Sequence, residues 1–286
     1  MSKNLNRRSF MTAAALSAGT AYLAAQEPGL KEPVFRVANN NIQRSDKHPL
    51  DPALDLAYNG LKRIRADVTD YTATVIKRER VKGVLGEYEY MAAKIRNRKV
   101  VDGQTKTPLS VYLTFLKPEA VKGREVIFVE GKNNGKMKAH EGGGFLGKLP
   151  SVWLDPHGPI AMRNQLYPIT EIGIENLIDK LIEKGERDRK RDECEVKFTP
   201  GTKINGRVCT LLEVKHPVPR EYFDFNIAQI FIDDELQVPV RYAAYEWPKA
   251  GEDKPQLLEE YTYVNMKINV GLTDQDFDPE NPNYNF

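Results

Sequence analysis

Cysteine and histidine are scarce in this chain. Two cysteines and four histidines occur among 286 residues. The histidines, His48, His140, His157 and His216, make no HxH, HxxxH or HExxH spacing, so a metal-hydrolase motif is absent. No histidine stands at a zinc-like distance from either cysteine, and no metal or cofactor is expected. Gly-x-Ser-x-Gly, the signature of a nucleophile elbow, is also missing. Long apolar runs are lacking too. The one mild stretch, Ala13–Ala25, is interrupted by Ser17, Gly19 and Thr20 and falls short of the ~20 residues a membrane-spanning helix needs.

That stretch follows Arg7-Arg8-Ser9-Phe10-Met11, a twin-arginine pattern. A basic start, an apolar middle and a small-residue exit make residues 1–25 an export signal, with cleavage expected after Ala25. No cysteine follows the run, so lipid anchoring at that point is excluded. The remaining chain is expected to be free in the periplasm. The full sequence has 42 Lys+Arg against 40 Asp+Glu, and losing Lys3, Arg7 and Arg8 turns this into an excess of one acid. The basic footprint of a nucleic-acid binder is therefore absent.

Residues 26–50, rich in Pro, Asn and charge, read as a linker or arm. Asp51-Pro52 opens a helix, with Leu54, Tyr58, Leu61, Ile64 and Val68 at helical spacing. From Asp70 the period becomes two. Strands are expected at about Asp70–Val81, Glu87–Lys99, Leu109–Leu116, Arg124–Glu130, Lys136–His140, Cys194–Thr199, Arg207–Lys215, Phe225–Ile232, Val238–Trp247 and Gln256–Asn269. Gly142–Pro168, with its glycines, prolines and Trp153, interrupts them as a long loop or lid. Thr170 is expected to cap a second helix that runs to Gly185, with Leu177, Ile178, Leu181 and Ile182 as its stripe. The fold class is mostly β (α+β): about ten antiparallel strands in a strongly curved sheet or incomplete barrel, covered by two helices. Residues 51–286 are read as one such domain.

Three local patterns invite chemistry. Gly142–Gly147 matches GxGxxG, but prolines follow where a dinucleotide site needs a helix. Asp274, Asp276 and Asp278 resemble the start of a calcium loop, but Pro279 and Asn285 stand where glycine and glutamate are required. A tail that docks through Phe277 and Tyr284 is the simpler reading. Cys194 and Cys209 lie in neighbouring strands. With the turn centred on Gly201–Thr202 they would face each other as a cross-hairpin disulfide, the alternative being two buried thiols.

Asp70-Tyr71-Thr72-Ala73 leading into Lys77-Arg78-Glu79-Arg80, Phe115-Leu116-Lys117-Pro118 before Gly123-Arg124-Glu125-Val126, Val129–Asn133, Ile232-Asp233-Asp234 and Asp276–Pro282 carry a resemblance. Over residues 50–286 the chain resembles the uncharacterised bacterial family catalogued as domain of unknown function 1571, itself similar to the LolA/LolB lipoprotein carriers. The resemblance implies a half-open barrel whose concave face holds acyl chains, with no catalytic residues. Val75, Val111, Leu113, Phe115, Phe128, Ile230 and Tyr261 are the candidate cavity lining. A lipid, an acyl chain or a lipidated protein is the expected partner. A cell-envelope interaction module without a cavity and a hydrolase with an unrecognised site are the alternatives, the last requiring convergent ionisable groups in a polar pocket.

The export reading has a direct check. An Arg7→Lys/Arg8→Lys variant should remain in the cytoplasm, and N-terminal sequencing of the exported wild type should begin at Gln26.

Overall fold

The computed structural model describes residues 48–143 and 146–286. The expected export signal (1–25) and nearly all of the expected arm lie outside the described residues. Helix α1 (Asp51–Asp67) precedes strands β1 (Asp70–Val81), β2 (Val84–Leu85), β3 (Glu89–Arg96), β4 (Lys99–Val101), β5 (Gln104–Thr107), β6 (Ser110–Lys117), β7 (Glu125–Val129), β8 (Met137–His140) and β9 (Val152–Leu154). Helix α2 (Ile174–Asp188) and strands β10 (Glu195–Ile204), β11 (Arg207–Lys215), β12 (Ile227–Asp233), β13 (Pro239–Glu246) and β14 (Gln256–Ile268) follow.

The strands lie in the order β10-β11-β12-β13-β14-β1-β3-β6-β7-β8-β9, every neighbour antiparallel. This is one large curved sheet that does not close, leaving β9 and β10 as edges. β4 and β5 form a separate hairpin. β1 is central because β14, the last strand, returns to pair with it: Tyr71 faces Ile268 and Glu79 faces Glu259. The alternation that announced β1 is kept, with Tyr71, Ala73 and Val75 all buried.

Both helices pack on the inward face. Leu54, Leu61, Ile64 and Val68 of the first helical stripe are buried, whereas Tyr58 is exposed and donates to Glu186 Oε1 at 3.1 Å. The second helix starts later than expected. Residues Ile169–Glu171 form a short 3-10 turn, and α2 begins only after Gly173. Gly173 has φ +112°, and a Cβ there would come within 2.9 Å of the Tyr71 hydroxyl. That hydroxyl accepts a hydrogen bond from Ile174 N–H at 2.9 Å, so a buried strand residue fixes where the helix starts.

The Cys194–Cys209 bridge is not formed, and both thiols are free. The β10–β11 turn is Asn205-Gly206, two residues at positive φ, the tight-hairpin choice. Pro200-Gly201 is a bulge inside β10 instead of a turn. This register sets Cys209 opposite Thr202, while Cys194 precedes the strand. Burial pushes the Cys194 thiol up to about 11 and raises that of Cys209, so neither is a reactive thiolate at neutral pH.

The tail docks as expected, on the outer face. Phe277 is buried with Tyr112, Ile127 and Val129, and Tyr284 stacks on Tyr112 with ring centroids 4.0 Å apart. Two of the three aspartates serve this docking, and Asp278 accepts from Glu280 N–H at 2.9 Å. Asp276 takes Lys94 Nζ at 2.7 Å and closes a capping box with Thr273, and Asp274 pairs with Arg96 at 2.8 Å. The Gly142–Gly147 match also has a packing cause: a Cβ on Gly142 would sit 2.1 Å from the Gly123 carbonyl carbon.

Emptying the centre of the tail cluster should therefore be costly. Phe277→Ala should lower the unfolding free energy by about 3 kcal/mol in a denaturant titration. An unchanged midpoint would show that the tail adds nothing to stability.

Candidate functional site

The inward face of β1 does not stay apolar. After Tyr71, Ala73 and Val75 the same parity continues with Lys77 and Glu79, 8% and 7% exposed. Its neighbours repeat the change. Val75 lies between Met91 of β3 and Tyr263 of β14, and Lys77 lies between Glu89 and Tyr261. Three adjacent strands thus turn from greasy to polar at the same level.

Above this boundary lies a cavity of about 150 Å3 between the sheet, α2 and the loop from Pro156 to Gly173. Its apolar end is built by Val75, Met91, Leu113, Phe115, Val126 and Met137 from the sheet, with Leu177 and Leu181 from α2. Four of the seven expected lining residues are here: Val75, Leu113, Phe115 and Tyr261. The other three point inward but do not reach it. Val111 and Phe128 are packed in the main core, 0% and 5% exposed. Ile230 is two strands beyond Tyr261 and is covered in a second cluster with Leu50, Leu54 and Tyr242. The helices fill those parts of the sheet and leave this space open.

The polar end went unforeseen. Tyr261 Oη donates to Glu79 Oε1 and lies 3.4 Å from Glu259 Oε2. Tyr167 and Tyr242 donate to Glu259 Oε1 at 3.1 and 3.3 Å. Lys77 Nζ lies 3.5 Å from Glu79 Oε2, 3.2 Å from Glu89 and 2.6 Å from the Gln165 side-chain oxygen. Leu166 N–H donates to Glu79 Oε2 at 3.2 Å. Gln165, Leu166 and Tyr167 belong to the long loop, so these buried charges hold the loop over the cavity. The continued parity Tyr71-Ala73-Val75-Lys77-Glu79 was the one sequence signal for this end.

The two glutamates stand directly opposite in register, an unfavourable pairing of like charges. Burial, with Glu79 adding to it, raises the Glu259 carboxyl above the usual carboxylate range. The same burial raises the Tyr167, Tyr242 and Tyr261 phenols, which stay protonated and serve as donors. Glu260, next in sequence, points to the other face and pairs with Arg241.

The histidines stand apart. His216 is fully buried and stacked on Phe223, with Nε2 3.5 Å from Asp188, and burial lowers its pKa. His48 meets the Arg191 carbonyl and His157 meets Thr170. Among the described residues no three His, Cys, Asp or Glu side chains converge as metal ligands, and no helix is long and apolar enough to cross a membrane.

A carboxyl with a folded-state pKa above its unfolded value holds more protons in the folded state, so stability falls as pH rises between the two values. Glu259→Gln removes that charge while its amide can still meet Tyr167, Tyr242 and Tyr261. Its melting temperature at neutral pH should exceed that of wild type, with a shallower decline above pH ~4.5. A lower melting temperature at every pH would show that the carboxylate form is the stabilising one.

The family model described as "Protein of unknown function (DUF1571)" matches residues 68–286. No curated protein matches the chain. The chain is similar to the crystal structure of lipoprotein LppX of Mycobacterium tuberculosis, at 14% identity over 80% of this chain and 100% of that one, TM-score 0.41. A putative outer membrane lipoprotein-sorting protein domain from Vibrio parahaemolyticus shares 13% identity over 79% and 95%, TM-score 0.37. A LolA superfamily protein from Nitrosomonas europaea shares 9% over 79% and 97%, TM-score 0.31. The family match takes in the whole sheet, both walls of the cavity and the docked tail, and the chain belongs to the DUF1571 family of proteins of unknown function.

Proposed function

We propose that this protein is an exported, non-catalytic binding protein that holds an acyl chain, from a lipid or a lipidated partner, in the cavity beneath α2. The observation that carries this reading is a mostly apolar space left open between the inward face of a curved sheet and its cover. Each methylene moved into it from water contributes ~0.8 kcal/mol. A space of about 150 Å3 holds a molecule the size of benzene, below the ~300–1,000 Å3 of a drug-sized ligand site. The cover as it stands therefore admits a short stretch of one chain, and a longer chain needs the Gln165–Tyr167 segment to release Lys77, Glu79 and Glu259.

The buried acids also bear on hydrolysis. Both oxygens of Glu79 are already engaged, by Tyr261, Leu166 N–H and Lys77, and Glu259 Oε1 is held by Tyr167 and Tyr242. They are placed to secure the loop, and that favours binding over acid–base chemistry. The envelope-module alternative draws on the tail, but Phe277 and Tyr284 are spent on the chain's own sheet.

Solvent extraction of protein purified from the exported fraction, followed by mass spectrometry, should recover acyl chains in stoichiometric amounts. Leu181→Trp, which fills the apolar end from the helix side, should reduce that recovery at least tenfold while the melting temperature stays within a few degrees. Lipid-free wild-type protein that also fails to bind added amphiphiles would exclude the proposal.

A further inference from the structure

The cavity face of α2 is not uniformly greasy. Asn176, Leu177, Lys180, Leu181 and Lys184 all line the cavity, so two leucines and two lysines run side by side along one helical stripe. Resting on the acyl-binding reading above, we propose that the ligand is a single-chain amphiphile with an anionic head, whose chain lies against Leu177 and Leu181 and whose head is bound by Lys180 and Lys184.

The charged groups at the polar end differ in how fully they are engaged. Glu79 accepts on both oxygens, from Tyr261 and from Leu166 N–H, Glu259 Oε1 accepts from Tyr167 and Tyr242, and Lys77 sits 2.6 Å from Gln165. The contacts of the amines on α2 are all longer. Lys180 Nζ is 3.5 Å from Glu183 and 3.7 Å from Glu171. Lys184 Nζ is 3.6 Å from Asp224 and 4.0 Å from Glu259. Good N–H···O bonds are ~2.7–3.2 Å long, so both amines can take a closer acceptor without breaking a short bond. Glu259, the nearest inward carboxyl to Lys184, is the one that burial pushes toward its neutral form. A cationic head would have to displace tyrosine or backbone donors from the acids, whereas an anionic head meets amines that lack a close partner. Lys180 and Lys184 are 44% and 21% exposed, which puts the head at the mouth, in contact with water, and the chain inside.

The test compares ligands that share one chain and differ in head: octanoate, octyl phosphate, octanol and octylamine, titrated calorimetrically into the delipidated full-length mature protein. Octanoate should bind about tenfold or more tighter than octanol, the effect of one charge-assisted hydrogen bond, with the preference shrinking at high salt. Octanoate against octyl phosphate separates a fatty-acid head from a phosphate-bearing one. In Lys180→Met/Lys184→Met the octanoate-to-octanol ratio should fall toward one. Lys180→Gln, at the more exposed position, should lower it in part if the double variant does not fold. Octanol binding as tightly as octanoate, or octylamine binding tightest, would overturn the anionic head while leaving the acyl site intact. If none of the four binds, both readings fail.

Discussion

Burying Lys77 and Glu79 on the face of β1 that also carries Tyr71, Ala73 and Val75 sets the problem that the rest of the molecule answers. An ion removed from water costs several kcal/mol unless partners surround it. Here the partners come from distant parts of the chain: Glu89 from β3, Tyr261 from the last strand, and Gln165 and Leu166 from the long loop. The return of β14 to pair with β1 is thus both a sheet contact and a condition for tolerating buried charge. Removing one partner would leave another stranded, which ties the sheet and its cover into one cooperative piece.

The same arrangement explains where the open space lies. Over Val111 and Phe128 the core closes, because the α2 side chains Ile174, Ile178 and Ile182 belong to the same packed cluster. Over Ile230 it closes because Leu50 and Leu54 pack there. Between them, the tyrosines and charges at the level of Lys77 hold the loop away from the sheet at a fixed height, and the apolar row formed by Phe115, Met91 and Val75 is left facing a gap. A polar rim beside an apolar recess suits an amphiphile, since each end of the ligand finds its own surroundings.

The outer face is treated differently. Tyr112, Ile127 and Val129 alternate with inward-facing neighbours on β6 and β7 and would lie bare to solvent without the tail that brings Phe277 and Tyr284 onto them. Lys94 and Arg96, from the outward parity of β3, anchor that tail through Asp276 and Asp274. The tail is also held by a buried acid, since Asn285 donates to Glu125, so charged groups secure the cover on each face.

Local rules alone placed the long strands, because alternation fixes a strand's two faces whatever it later packs against, but they missed the short β2, the β4–β5 hairpin and β9, which lies inside the expected loop. They also placed α1, opened by Asp51-Pro52, and the docking residues Phe277 and Tyr284. Alternation likewise marked Val75, Leu113, Phe115 and Tyr261 as inward. It could not separate them from Val111, Phe128 and Ile230, because all seven share a face and only the positions of the two helices decide which are covered. Turn chemistry misled where two turn signals competed. Pro200-Gly201 and Asn205-Gly206 both suit a bend, and the sheet register chose the second, parting Cys194 from Cys209. The polar end was decided by tertiary structure, beyond the parity that put Lys77 and Glu79 on the face of Val75. A lysine or glutamate in a strand is ordinarily solvated, and Lys77, Glu79 and Glu259 become interior groups only when strands nearly two hundred residues apart are brought side by side.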